Sequence, residues 1–214
     1  DDDLFLLDED GHIKFFENKL LESSEFELIS TNFFELSNIS WFFIGDFDDD
    51  NEYEIITQNP DNIDQMLYYD IVNSSVIEIG TVFDVMMNPV ESDGVMNPTF
   101  VDIDNDEDLD FFTGNVVGTV TYYENIGFNN GTPQFEFMTN FWEEIYIVGS
   151  SFERHGASAI KFIDIDQDLD YDLAWGDFFQ QSLYIITNEG TVDTPNMDNE
   201  NIIGQFPENS PIIT

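Results

Sequence analysis

Short runs of Thr, Val, Ile, Tyr and Phe recur along the whole chain, separated by Gly, Pro, Asn and Asp. This is a strand pattern, because β-branched and aromatic side chains suit a pleated surface. In one stretch it predicts four strands, Thr99–Ile103, Leu109–Thr113, Thr119–Glu124 and Gln134–Thr139, punctuated by Gly114, Gly118, Gly127, Gly131 and Pro133. No segment carries a convincing amphipathic helix. No apolar run approaches the length of about 18 residues that a membrane span needs.

The pattern is repeated. Asp46-x-Asp48-x-Asp50-x-Glu52-x-Glu54, Asp102-x-Asp104-x-Asp106-x-Asp108-x-Asp110 and Asp164-x-Asp166-x-Asp168-x-Asp170-x-Asp172 each lie between two apolar runs. Downstream, 118–125 copies 11–18, with looser copies at 65–70 and 181–188. Placing Gly11 on Gly118 puts Asp3 on Asp110, so the chain is expected to open inside a fourth motif. At the other end, 210–214 resembles 97–101, which precedes a motif. The chain thus reads as one repeat region over 1–214, with repeats at about 1–45, 46–101, 102–163 and 164–214.

Four antiparallel strands recurring every 55 residues or so predict an all-β fold, a β-propeller of four-stranded antiparallel blades, about four in number. A β-sandwich also has many short strands, but it requires no internal copy of this length. A segment of a larger propeller or assembly is expected in preference to a closed four-bladed ring. The pairing or separation of residues 4–7 and 211–214 decides between them.

Charge narrows the function. Against 46 Asp and Glu stand 4 Lys and Arg, a formal net charge of −42. Non-specific nucleic-acid binding needs a basic footprint and is excluded. With 42% hydrophobic residues and 22 Phe, the chain can still build a core rather than remain an acidic disordered tail. No cysteine is present, which removes disulfides and thiolate metal sites.

The acidic motif has the chemistry of a metal loop. A tightly wound loop can turn oxygen ligands inward from positions 1, 3, 5 and 9, with the main-chain carbonyl of position 7 adding another. Hard oxygen donors without His or Cys suit calcium rather than zinc, and Mg²⁺ demands a tighter octahedron. Convergent carboxylates repel unless a cation joins them. An EF-hand is rejected, because position 12 is Thr57, Thr113 or Trp175 where that loop needs a Glu.

The motifs, their flanking strands and the 118–125 run resemble FG-GAP/VCBS repeats, the calcium-binding blades of integrin-α-type propellers in secreted and surface proteins. The resemblance covers nearly the whole chain and is strongest at 98–127 and 160–176. It implies one Ca²⁺ in each loop joining the first and second strands of a blade, about three sites in all. The implied side-chain ligands are Asp46, Asp48, Asp50 and Glu54; Asp102, Asp104, Asp106 and Asp110; and Asp164, Asp166, Asp168 and Asp172. The carbonyls of Glu52, Asp108 and Asp170 complete the sets. The family usually has Gly at position 6, where this chain has Asn51, Glu107 and Leu169.

Little else points to chemistry. His12 matches Thr119 and reads as an exposed strand residue. His155 reads as a loop residue. No nucleophile elbow, phosphate loop or zinc-protease motif occurs. The sequons at Asn38, Asn73 and Asn130 are no more than chance supplies. The aromatic positions Phe15, Phe16, Tyr68, Tyr69, Tyr122 and Tyr123 read as packing between blades, with a carbohydrate-stacking rim as the alternative. The expected function is therefore a non-enzymatic, extracellular or cell-surface calcium-binding propeller with a structural, adhesion or assembly role. Its expected partner is a protein or carbohydrate at the cell exterior, with self-association as a further route. The alternative is a propeller module of a secreted polysaccharide-acting enzyme, for which only Arg154, His155 and Lys161 offer a basic corner.

Overall fold

The computed structural model describes residues 3–19, 25–72, 75–92, 96–146, 157–177 and 183–204. It is an all-β protein whose four small antiparallel sheets are arranged as a four-bladed propeller. The first blade contains β1 (Leu4–Leu7), β2 (Ile13–Asn18) and β3 (Phe26–Ser30), and the second β4 (Phe42–Gly45), β5 (Glu54–Asn59), β6 (Asn62–Val72) and β7 (Ser75–Thr81). A two-residue strand, β8 (Phe83–Asp84), precedes the third blade of β9 (Thr99–Val101), β10 (Asp110–Gly114), β11 (Val120–Asn129) and β12 (Thr132–Thr139). The fourth contains β13 (Ala157–Ile163), β14 (Asp172–Asp177), β15 (Leu183–Asn188) and β16 (Met197–Ile203). Each blade pairs in simple chain order.

Burial falls from the middle of each blade to its outside. Both β5 and β10 are buried along almost their whole length, whereas β3 is exposed along most of its own. A strand covered on both faces needs no polar alternation, hence Phe111-Phe112 and Ile55-Ile56. Successive residues point to opposite faces, so each aromatic pair serves two cores. Tyr68 packs with Phe47 and Phe100 between the second and third blades, while Tyr69 packs with Ile55 and Leu67 toward the first. Tyr122 faces Trp142, Phe162 and Trp175 between the third and fourth blades, while Tyr123 faces the core shared with the second. Tyr68, Tyr69, Tyr122 and Tyr123 are thus interblade packing, while Phe15 stacks on Phe5 within the first blade.

The predicted strands of the third blade are found with shifted ends. β9 stops at Val101, because Asp102 already binds the backbone of its own loop. β11 runs on to Asn129 through a bulge between Asn125 and Phe128, then turns at Asn130 and Gly131, both left-handed with φ of 56° and 84°. That Asn-Gly pair is a strong hairpin signal. Two further features were not anticipated. One is a single 3₁₀ turn at Phe33–Glu35 and again at Trp142–Glu144. In both, an aromatic enters the blade: Phe33 meets Phe5 and Phe15, and Trp142 meets Phe112 and Tyr122. The other is β8, which pairs parallel with β12 and so closes the outer edge of the third blade with residues that follow the second.

Residues 205–214 lie outside the described residues, and with them the expected test of pairing between 4–7 and 211–214. No helix among the described residues is long and apolar enough to cross a membrane.

Candidate metal centres

Each acidic motif links the first two strands of a blade: 46–54 joins β4 to β5, 102–110 joins β9 to β10, and 164–172 joins β13 to β14. The three loops fold alike because position 1 organises them. Asp46 accepts hydrogen bonds from the amides of Asp50 (3.2 Å) and Asn51 (2.9 Å). Asp102 accepts from Asp106 (3.1 Å) and Glu107 (3.2 Å), and Asp164 from Gln167 (2.7 Å) and Leu169 (3.2 Å). Position 5 then accepts from the amide of position 7, at Asp50, Asp106 and Asp168 alike.

Such winding needs left-handed backbone. Position 6 adopts it in every loop, with φ of 66° at Asn51, 74° at Glu107 and 82° at Leu169. Position 4 does so too, at Asp49 (58°), Asn105 (61°) and Gln167 (68°). These angles suit glycine and are tolerated by Asn; Leu is strained there.

The result is convergence of carboxylates. One oxygen each from Asp46, Asp48 and Asp50 lies within 4.8 Å of the others, as do those of Asp102, Asp104 and Asp106, and of Asp164, Asp166 and Asp172. Position 9 joins the tight group only in the last loop, where Asp168 stays outside it. Position 9 is nevertheless the most buried acid of each loop: Glu54 is 3% exposed, Asp110 1% and Asp172 0%. It also ties the loop to the blade. Asp172 accepts from the amides of Ile165 (2.9 Å) and Asn188 (2.9 Å), and Asp110 from Asn125 N–H (2.8 Å) and the Tyr122 hydroxyl (3.2 Å). Glu54, one methylene longer, reaches the amide of Phe47 (2.9 Å). Asp3 accepts from Asn18 N–H at 2.8 Å, the place that Asp110 and Asp172 hold in their blades and the one the alignment of Gly11 with Gly118 gave it.

Crowding of like charge in partly dry surroundings raises these acids. Burial first, then Asp104 and Asp108, push Asp110 to about 8 against the pull of the Asn125 amide. Burial pushes Glu54 to about 7, with Asp48, Asp50 and Asp46 adding to it against the pull of the Phe47 amide. Burial and Asp106 push Asp108 to about 7, and burial and Asp168 push Asp170 to about 6. Asp48, Asp104 and Asp166 are raised for the same two reasons. Three enclosed oxygens, Asp104 Oδ1, Asp108 Oδ1 and Asp170 Oδ1, have no hydrogen-bond partner. Buried charged oxygens without donors call for a cation or a proton. With an all-oxygen donor set, these loops are groups that could hold metal ions.

No known family matches the chain, and a search of curated proteins returns no match.

A fourth group, Asp8, Asp10 and His12, escaped the sequence reading. Its geometry is that of a hairpin turn. Asp8 Oδ1 accepts from the amides of Asp10 (3.0 Å) and His12 (2.9 Å), and Lys14 lies 3.4 Å from Asp8 Oδ2. Asn115 plays the same part in the third blade, accepting from Val117 and Thr119 without any acid nearby in the turn. His12 is half-buried just before β2, rather than an exposed strand residue. Of the basic corner, Arg154 and His155 lie outside the described residues. Lys161, exposed on β13, reaches toward the neighbouring blades, its ammonium donating to Thr99 Oγ1 at 3.2 Å and sitting 5.1 Å from the Phe43 ring centroid.

Proposed function

We propose that the protein is a non-enzymatic calcium-binding propeller of the cell exterior with a structural, adhesion or assembly role. The observation that carries this reading is one loop design built three times, each bringing three carboxylates together and two of the three enclosing carboxylate oxygens without donors. The resemblance of the motifs to FG-GAP/VCBS repeats supports calcium as the ion, as does the absence of His and Cys from the three loops. Asp46, Asp48, Asp50 and Glu54 would hold one ion with the Glu52 carbonyl, and the corresponding residues of 102–110 and 164–172 the other two. Bound calcium would supply the positive charge that the converging acids need, and so clamp the first strand of a blade to the second.

The surface supports an exterior setting. The three full motifs and residues 1–3 together hold 20 of the 46 acids, and so large a negative charge suits saline or calcium-rich fluid that would screen it. Melting with and without chelator tests the proposal. Each site filled at a hundredfold excess over its Kd adds about 2.7 kcal/mol, so calcium raises Tm by many degrees and magnesium by less. A Tm unmoved by EGTA, after complete metal removal has been verified, overturns it.

A further inference from the structure

Position 7 of each loop enters the calcium reading through its main-chain carbonyl, yet its side chain differs sharply among the three. Asp170 is 6% exposed, and its Oδ1 is enclosed without a hydrogen-bond partner. The like charges of Asp168, Asp172 and Asp166 act on it from the same loop. Asp108 is half-buried with an equally orphaned Oδ1, against Asp106, Asp104 and Asp102. Glu52 is exposed; its amide donates to Asp50, and no orphaned oxygen is found in its loop among the described residues.

We propose that Asp108 and Asp170 each give their ion a side-chain carboxylate oxygen in addition to the main-chain carbonyl, making 102–110 and 164–172 high-charge sites and 46–54 a lower-charge one. The inference rests on the calcium reading. A carboxylate oxygen enclosed without a donor, in a loop crowded with like charge, is held against repulsion, and a cation in the loop relieves it. Glu52, free in solvent, has no such need. Calcium affinity rises with the number of charged ligands, so the two Asp loops bind more tightly than the Glu loop, and the difference resides in a side chain rather than in the backbone all three share.

The experiment is calcium calorimetry on the whole chain and on Asp108→Asn, Asp170→Asn and Glu107→Gln; Glu107 is an exposed acid of position 6 that supplies no ligand. Asp108→Asn and Asp170→Asn are each expected to weaken one site on the order of tenfold, with Glu107→Gln unchanged. In EGTA, Asp170→Asn is expected to melt above the wild type, because it removes an unpaired buried charge; this readout also shows that the variant folds. If the wild type binds calcium and all three variants bind it equally well, the inference is overturned and the calcium reading stands. If the wild type binds none, both are overturned.

Discussion

Leu169 shows most plainly what these loops ask of single residues. It holds φ at 82° while 83% exposed, so it takes the strain of a left-handed backbone and gains no packing in return. Leu169→Asn is expected to stabilise the chain by about 0.5–1 kcal/mol, and Asn51→Leu to cost a similar amount. Urea midpoints decide it, and a Leu169→Asn midpoint at or below the wild type would count against the strain. Position 6 was readable only through the resemblance to FG-GAP/VCBS repeats, which usually place Gly there. Position 4 was not, since Asp49, Asn105 and Gln167 share no residue type that announces a positive φ. Nor did spacing reveal that Tyr122 would donate to Asp110, because that contact depends on the register of β10 against β11.

Among elements, the hairpin between β1 and β2 is fitted closely against the chain that leads into the second blade. Gly11 has φ of 74°, and a Cβ placed on it would lie 2.7 Å from Ile39 O and 2.9 Å from Asn38 N. Both are main-chain atoms that lead into the second blade, so neither can step aside. Gly11→Ala is expected to cost about 2–4 kcal/mol, read as a lowered Tm, whereas Gly127→Ala meets no neighbour and carries only the cost of its φ. Strands, blade pattern and acidic loops were legible because each is encoded locally, as alternation, Gly and Asp spacing, or an internal copy. The turn at Trp142–Glu144 and the strand β8 were not. One is recognised only by the aromatic it inserts, and the other is two residues long and owes its existence to the free edge of β12.

At the scale of the molecule, the raised acids set the response to pH. Asp110, Glu54, Asp108 and Asp170 ionise in the folded protein at about 8, 7, 7 and 6, and near 4 once unfolded. The folded state therefore binds more protons through this interval. Without metal, their contribution is fully present below pH 4 or so and is lost as pH rises toward about 8. The chelated protein is expected to melt higher at pH 5 than at pH 8. With calcium the order reverses, because protons compete for the ligands. A chelated Tm that climbs between pH 5 and pH 8 would show that these acids do not govern stability. One last consequence comes from the short strand that closes the third blade. Just after it the amide of Val85 reaches Phe135 O, while just before it the amide of Val82 is bound to Met66 O of the second blade. During synthesis this segment leaves the ribosome some 50 residues before β12, the strand it completes, and must wait for it. The second and third blades then become one cooperative folding unit. Their central amides are expected to exchange hydrogen with the same free energy of opening, and a second blade that opens while the third stays protected would break that link.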